Sequence, residues 1–292
     1  MKNILRILTA ALVMAFIGFA AQAGYNIKQI DDGSMCWQSA GKDAICNSGG
    51  ANHRFSIPQD GTHAIPREVY GFFDDFTQQT LTEVDGMWIE NSGTDAQAVD
   101  AAIVATAEGG QITIVSGNLD GTMAADGSQV VGHLPVQADS GGVVFETRLH
   151  IDTAITTVSV CAGLTDSTSL EEPASIATAT ITTVLSDGVV FCFDSAATTK
   201  QWYAIGVDTN TDATGNALTG SAPVADTFQV LRIELDADGA TARFYVDGVF
   251  KIGLTANAAT PTVNLFPTVT VNATTTTSRS VDIDYIYVGH NR

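Results

Sequence analysis

The sequence predicts an all-β protein that forms a sandwich or a barrel. From about residue 68 onward, short runs of Val, Ile, Thr, Phe and Tyr are separated by Gly, Asp, Asn and Ser. No stretch after the first 23 residues carries a convincing helical period. With 45% hydrophobic and 15% charged residues, the 292-residue chain can form a packed core. The uniform pattern of residues 68–292 indicates one domain.

The strand candidates follow one another along this domain. Each is rich in β-branched and aromatic residues and is bounded by turn formers. We predict strands at residues 101–106, 111–116, 143–151, 156–162, 176–184, 189–194, 201–207, 228–236, 241–246, 263–271 and 281–288.

One hairpin can be predicted in register. A turn at Asp238-Gly239, with positive φ at both residues, pairs Leu235 with Ala242, Ile233 with Phe244 and Leu231 with Val246 on one face. On the other face, Glu234 pairs with Arg243 and Arg232 with Tyr245. Two independent features support this register: apolar residues pair with each other on one face, and opposite charges pair on the other.

The last predicted strand also alternates. Val281, Ile283, Tyr285 and Tyr287 share one face, which we expect to lie in the core. Asp282 and Asp284 share the other face, which we expect to meet solvent or a ligand groove.

The segments before the domain differ from it. Lys2 and Arg6, an apolar run and the triplet Ala21-Gln22-Ala23 give residues 1–23 the three parts of a signal peptide. The alternative is a retained apolar segment that packs against a neighbour. Residues 24–67 read as a small hairpin arm and linker, too short to bury much core unaided. We expect no membrane span after residue 23.

The four cysteines lack metal-ligand spacing. A hairpin turning near Gly41 places Cys36 opposite Cys46, and Cys161 can bridge Cys192 if their strands are neighbours. An exported chain favours two such disulfides, whereas a reducing compartment favours four free thiols.

Charge excludes some partners. The chain has 13 Lys+Arg and 32 Asp+Glu, a formal net charge of −19. Such a surface repels phosphate backbones and anionic lipid headgroups. We therefore expect no nucleic-acid partner.

Seven segments carry a family likeness: residues 72–76, 144–149, 162–166, 202–208, 231–239, 243–249 and 281–288. Together they resemble concanavalin A-like lectin/glucanase jelly rolls, and among these the lectin-like virion proteins of tailed phages. The likeness covers roughly residues 70–289. It implies a two-sheet antiparallel jelly-roll sandwich, with the N-terminal hairpin arm outside it. One fold of this kind hosts lectins, hydrolases and structural modules, so the resemblance alone assigns no activity.

Catalytic motifs are missing from the sequence. Within the family that the chain resembles, laminarinase-type hydrolases carry Glu-x-Asp-x-x-Glu on one strand. In this sequence Glu83-Val-Asp85 has Trp88 in place of the second Glu, and Glu234-Leu-Asp236 has Gly239 there. Asp282 with Asp284, and Asp74 with Asp75, are the remaining acid/base candidates, and a solvated outer face explains them more simply. We name no catalytic residue and predict that the chain is not an enzyme.

Calcium is the one cofactor that the sequence suggests. Asp208, Asn210 and Asp212 offer hard oxygen ligands at alternate positions, although Ala213 replaces the turn glycine of an EF-hand loop. An Asp/Asn-rich turn is the alternative.

The aromatic residues bear on glycan binding. Trp202 and Tyr203 point to opposite faces of a predicted strand, so only one of them can be core, and the other could stack on a sugar ring. We expect most other strand aromatics, including Phe191 and Phe193, to be core.

Three functions follow. The first is a non-enzymatic module on a virion surface that forms a homo-oligomer or contacts other virion or surface subunits. The second is an exported carbohydrate-binding protein, with glycans as partners. The third is a glycoside hydrolase. The location is accordingly a virion surface or the cell exterior.

Overall fold

Antiparallel strands make up nearly all regular structure in this computed structural model, which describes residues 25–29, 35–39, 45–47, 69–76, 87–104, 110–152, 154–213 and 216–291. The chain divides into two units, Met1–Glu68 and Val69–Arg292. The signal segment predicted at residues 1–23 lies outside the described residues.

The first unit contains a three-stranded antiparallel sheet formed by β1 (Tyr25–Gln29), β2 (Met35–Ser39) and β3 (Ile45–Asn47). The backbone register places Cys36 opposite Cys46, as the predicted hairpin requires. The side chains of this sheet lie outside the described set, so the Cys36–Cys46 disulfide stays a prediction.

The second unit contains the remaining elements. Among its described residues, the helix is the single turn α1 (Met123–Asp126). Its strands are β4 (Val69–Asp74), β5 (Trp88–Ser92), β6 (Val99–Ile103), β7 (Ile112–Val115), β8 (Ser128–Gly132), β9 (Val136–Gln137), β10 (Val143–Ile151), β11 (Val158–Thr165), β12 (Ala174–Ala177), β13 (Thr180–Thr183), β14 (Gly188–Asp194), β15 (Tyr203–Asp208), β16 (Thr211–Asp212), β17 (Asn216–Ala217), β18 (Gln229–Leu235), β19 (Ala242–Val246), β20 (Val249–Leu254), β21 (Asn264–Ala273) and β22 (Ser280–Asn291).

Two large sheets form the predicted sandwich. The first sheet has eight strands in the order β20-β19-β18-β10-β22-β7-β6, with β4 also paired to β22. The second has nine strands in the order β16-β15-β14-β11-β21-β8-β5, with β17 on β15 and β9 on β21. No described helix is long and apolar enough to cross a membrane.

The main core lies between these sheets. β10 alternates strictly between buried and half-buried residues, and its buried side chains Phe145 and Leu149 belong to this core. Phe191 of the second sheet meets Phe244 of the first, with ring centroids 5.0 Å apart in an edge-to-face contact. The inward orientation expected for Phe191 and Phe193 is confirmed, since both are fully buried.

A second cluster covers the outer face of the second sheet. The hairpin β12–β13 brings Ile176 against Val190 and Tyr203, which point away from the main core. Beneath it, Cys161 and Cys192 face each other on β11 and β14 and form the predicted disulfide. The single strand predicted at residues 176–184 is wrong, because the chain reverses there with φ of 62° at Thr178.

The register predicted for the β18–β19 hairpin is confirmed at all five pairs. The turn differs from the prediction, because only Gly239 has positive φ there. The amide of Gly239 donates to the carbonyl of Asp236 at 3.1 Å, so the loop is a four-residue turn that ends on a left-handed glycine. Asp247-Gly248, with φ of 52° and 74°, forms the two-residue turn into β20, a strand that the sequence did not reveal.

β22 contains a bulge that overturns the predicted faces of its tyrosines. Arg148 pairs with Tyr285 but Leu149 pairs with Ile283, so Asp284 is an extra residue. Ile283 and Ile286 are both fully buried. The alternation therefore restarts after the bulge, and Tyr285 and Tyr287 lie on the outer face instead of in the core.

Candidate functional site

The outer face of the first sheet carries a continuous row of neighbouring side chains. We call Phe250, Tyr245, Arg232, Glu146, Tyr287 and Phe73 the cross-strand row. Each is the register partner of the next, across β20, β19, β18, β10, β22 and β4. Aromatic rings occupy both ends, where Phe250 is 54% and Phe73 is 58% exposed, and charged groups occupy the middle.

Hydrogen bonds hold the middle of this row. The Tyr245 hydroxyl donates to Glu234 Oε2 at 3.0 Å, and Arg232 donates to the other oxygen of Glu234. Arg232 Nη1 lies 4.0 Å from Glu146 Oε2. The other carboxylate oxygen of Glu146, Oε1, accepts a hydrogen bond from the Tyr285 hydroxyl at 2.8 Å. Burial and the bond to Glu234 raise the pKa of Tyr245, and burial and the bond to Glu146 raise the pKa of Tyr285. Both phenols thus remain protonated donors.

The two aromatic ends are ordered by ring contacts. Phe73 and Tyr285 lie with centroids 5.5 Å apart at an interplanar angle of 36°, and Tyr245 and Phe250 are 5.6 Å apart at 65°. Such offset and tilted pairs are favourable geometries for aromatic rings. Each end therefore presents a small, held platform of rings.

Tyr287 lies over a strip of backbone that has no side chains. Gly289 and Gly71 are paired across β22 and β4. A Cβ added to Gly289 would stand 2.1 Å from the Tyr287 hydroxyl, whereas one added to Gly71 would stand 3.4 Å from the nearest ring carbon. Gly289 therefore leaves the space that the tyrosine ring occupies.

Beside the row lies a group that we call the Phe228 cluster: Phe228, Arg148, His150, Asp282 and Asp284. The Phe228 ring contacts Arg148 and His150, both on β10. Arg148 pairs with Asp284 at 2.6 Å and His150 Nε2 with Asp282 at 3.1 Å.

The predicted acid/base residues Asp282 and Asp284 thus share one face, as expected, but both are paired. Asp282 also accepts from the Thr113 hydroxyl. Burial acts to raise the pKa of Asp282, but the bonds from His150 and Thr113 outweigh burial and lower it. Asp74 is buried and accepts from the indole of Trp88 at 2.7 Å and the amide of Phe76 at 2.8 Å, which is a structural role.

Trp202 and Tyr203, predicted as ligand-binding residues, are both buried. Trp202 is fully buried in the main core and donates to Gln229 at 3.0 Å. Tyr203 is 6% exposed beneath β12–β13, and its hydroxyl donates to the Thr199 carbonyl. The expectation that only one of them is core is wrong, because a second apolar cluster covers the outer face of the second sheet.

The residues predicted to bind calcium lie in a hairpin. Thr209 and Asn210 have φ of 48° and 59° and form the turn between β15 and β16. Asp208 accepts from the Thr260 hydroxyl at 2.7 Å, and Asp212 accepts from the Thr183 hydroxyl at 2.8 Å. Among the described residues no three His, Cys, Asp or Glu side chains form a metal-binding group. The calcium site stays a prediction.

Sequence reasoning missed two carboxyl groups, Glu171 and Glu172, in the loop after β11. Burial, with the charge of Asp166, raises the pKa of Glu171. Burial, with the charge of Asp194, raises the pKa of Glu172 despite a bond from Ser159. The acidic pair before Pro173 was the only signal in the sequence.

Neither a protein-family model nor a curated protein sequence matches the chain. Solved structures do match its fold. The carbohydrate recognition domain of Emp47p superposes with a TM-score of 0.52 at 10% identity, covering 78% of this chain and 99% of that one. The β-glucanase of Bacillus licheniformis gives 0.50 at 10% identity, covering 75% and 97%. The second unit therefore has the concanavalin A-like jelly-roll fold shared by lectins and glucanases.

Proposed function

We propose that this chain is a non-enzymatic carbohydrate-binding module whose ligand lies on the outer face of the first sheet. The observation that carries the proposal is the cross-strand row, with exposed rings at Phe73 and Phe250 and a hydrogen-bonded middle. The recognition domain and the glucanase that share the fold are both named for carbohydrates, which agrees with this ligand class.

The chemistry of the face suits sugars. The apolar C–H face of a pyranose stacks on an aromatic ring, and its hydroxyls pair with carboxylates, guanidinium groups and phenols. Binding sites commonly combine aromatic side chains with a few fixed polar groups in this way. Because Tyr245, Arg232 and Tyr285 are already held by Glu234 and Glu146, little side-chain freedom is left to lose on binding.

The proposal that this module is not an enzyme rests on the carboxylates of this face. Glycoside hydrolysis requires one carboxyl group that donates a proton and a second that acts as nucleophile or base. Asp282 and Asp284 are instead paired with His150 and Arg148. We expect no release of reducing sugar from any bound polysaccharide. Release would support the hydrolase hypothesis.

The binding test is a glycan array followed by calorimetry on the full chain, with and without calcium. Phe73→Ala and Phe250→Ala should each weaken binding of any array ligand about tenfold, since each removes a ring. The matched control is Val184→Ala, because Val184 is 63% exposed but adjoins the cover of the second sheet. Unchanged affinity in both ring variants would contradict the proposed face.

A virion surface is the location that the sequence resemblance to phage proteins supports. Mass spectrometry of purified particles tests it, because a structural subunit must be present in them. Its absence from particles, together with a periplasmic or secreted chain that lacks residues 1–23, would favour the exported alternative. The mass of the chain in solution tests the predicted homo-oligomer.

A further inference from the structure

We infer that the ligand of this face is an extended, uncharged polysaccharide that crosses the strands and contacts both aromatic ends of the cross-strand row. This inference rests on the proposed function and adds the length and the charge of the ligand.

The length of the ligand follows from the geometry of the first sheet. The row runs from β20 to β4 through five inter-strand spacings of about 4.8 Å, so its ends are about 24 Å apart. A mono- or disaccharide can contact only one end. Several linked sugars are needed to reach from the Tyr245–Phe250 rings to the Phe73–Tyr285 rings. Because Phe73 and Phe250 are both more than half exposed, a longer chain can continue past either end.

That the ligand is uncharged follows from the ion pairs between the two aromatic ends of the cross-strand row. Arg232 contacts Glu234 and Glu146, Arg148 contacts Asp284, and His150 contacts Asp282. Each of these three basic groups therefore has an acidic neighbour already, and Arg243 on the same face is the register partner of Glu234. An anionic ligand that pairs with Arg232, Arg148 or His150 would have to displace a carboxylate. The chain as a whole carries a net charge of −19, which adds long-range repulsion. A neutral chain meets neither cost and can still bond to the outer edges of these groups.

Calorimetry with the full chain tests the length. The probes are linear neutral di-, tetra- and hexasaccharides of glucose, mannose and galactose. We expect the affinity for the best hexasaccharide to exceed that of its disaccharide at least tenfold. Phe73→Ala or Phe250→Ala should remove most of this gain, while Val184→Ala should keep it. Equal affinities for disaccharide and hexasaccharide would overturn the inference but leave the proposed function intact, whereas no binding of any saccharide would overturn both.

Sulfated hexasaccharides of the same sugars test the charge. We expect them to bind at least tenfold more weakly than their neutral counterparts at low salt. Equal or tighter binding of the sulfated probes would overturn the inference. Retention of a protein partner by the face, with no saccharide binding, would show that it is a protein interface instead.

A glycine substitution tests whether ring position matters. In Gly289→Ala the three atoms nearest the new Cβ all belong to the Tyr287 side chain, at 2.1 to 3.3 Å, so this ring must move away from the sheet. We expect hexasaccharide affinity to fall about fivefold to tenfold. Gly253→Ala is the control, because its Cβ would meet only the Ala242 carbonyl oxygen, at 3.6 Å. If Gly289→Ala fails to fold, Tyr287→Ala takes its place, and full affinity in the folded variant would contradict a role for this ring.

Discussion

The guanidinium carbon of Arg148 lies 4.1 Å from the ring centroid of Phe228. On the same ring, His150 makes an edge contact at 4.4 Å. Arg148 and His150 also reach carboxylates of β22, so one ring orders both of these pairs. Phe228 therefore supports the charged part of the proposed binding face without belonging to the cross-strand row.

Replacement of this ring should cost stability. We expect Phe228→Leu to lower the free energy of unfolding by about 1 kcal/mol, because the cation–π contact with Arg148 is lost. Urea denaturation measures the change. Val224→Ala is the control, since Val224 is 58% exposed and a change there should stay within about 0.5 kcal/mol. Equal losses in the two variants would contradict a special role for Phe228.

The His150–Asp282 pair predicts a dependence on pH. The hydrogen bond to Asp282 raises the pKa of His150 above its usual value, although burial opposes this. Charged His150 therefore stabilises the fold below about pH 6.5, and this contribution is lost as the pH rises through the raised pKa. We expect wild type to lose about 1 kcal/mol relative to His150→Gln between about pH 6 and pH 9. Parallel stability curves for the two proteins would refute this.

The buried disulfide should contribute strongly to stability. It closes a segment of 31 residues between β11 and β14, and both cysteines are fully buried. Restricting the unfolded chain over such a loop is worth about 3–4 kcal/mol. We expect the Cys161→Ala/Cys192→Ala double variant to lose about that amount in chemical denaturation. A loss below about 1 kcal/mol would show that the β12–β13 cover holds the two strands without the bond.

Asp126 should be essential for the loop before α1. Its carboxylate accepts from the backbone amides of Leu119, Asp120 and Gly121. Burial acts to raise the pKa of Asp126, but these bonds outweigh burial and lower it. The stabilisation is thus present above about pH 4 and is lost as the pH falls through the lowered pKa.

We expect Asp126→Ala to cost about 2–3 kcal/mol, because it leaves these amides without their acceptor. Thermal unfolding measures the change. Asp238→Ala is the matched control, since Asp238 caps a single exposed amide, that of Ala240, and should change stability by no more than about 0.5 kcal/mol. A similar cost in both variants would contradict the proposed anchoring by Asp126.

Local pattern predicted most of the longer strands but missed β4, β5 and β8, and it gave a full register for one strand pair. The β18–β19 register could be derived because apolar and charged partners both constrain it. β20 was not predicted from the sequence, because it is an edge strand whose first residues, Val249 and Phe250, are exposed and show no alternation. The hairpin β12–β13 was predicted as one strand, because the turn at Thr178-Ala179 between its two strands contains no glycine or proline.

The candidate site was harder to predict. Alternation placed Asp282 and Asp284 on the outer face, but it assigned Tyr285 and Tyr287 to the core, because a bulge gives no simple sequence signal. Trp202 and Tyr203 were misjudged for a different reason. The burial of Tyr203 depends on a hairpin that packs onto the second sheet from elsewhere in the chain, which no local pattern reports.

The bulge at Asp284 has a consequence for how this surface can evolve. The apolar side chains on either side of it, from Val281 to Ile283 and from Ile286 to Val288, each keep their own alternation toward the core. Loss of Asp284 would leave both halves in phase and remove only the partner of Arg148. A central strand that ordinarily tolerates no change in length thus has one position where a residue can be lost, so the outer surface can change while the interior is preserved.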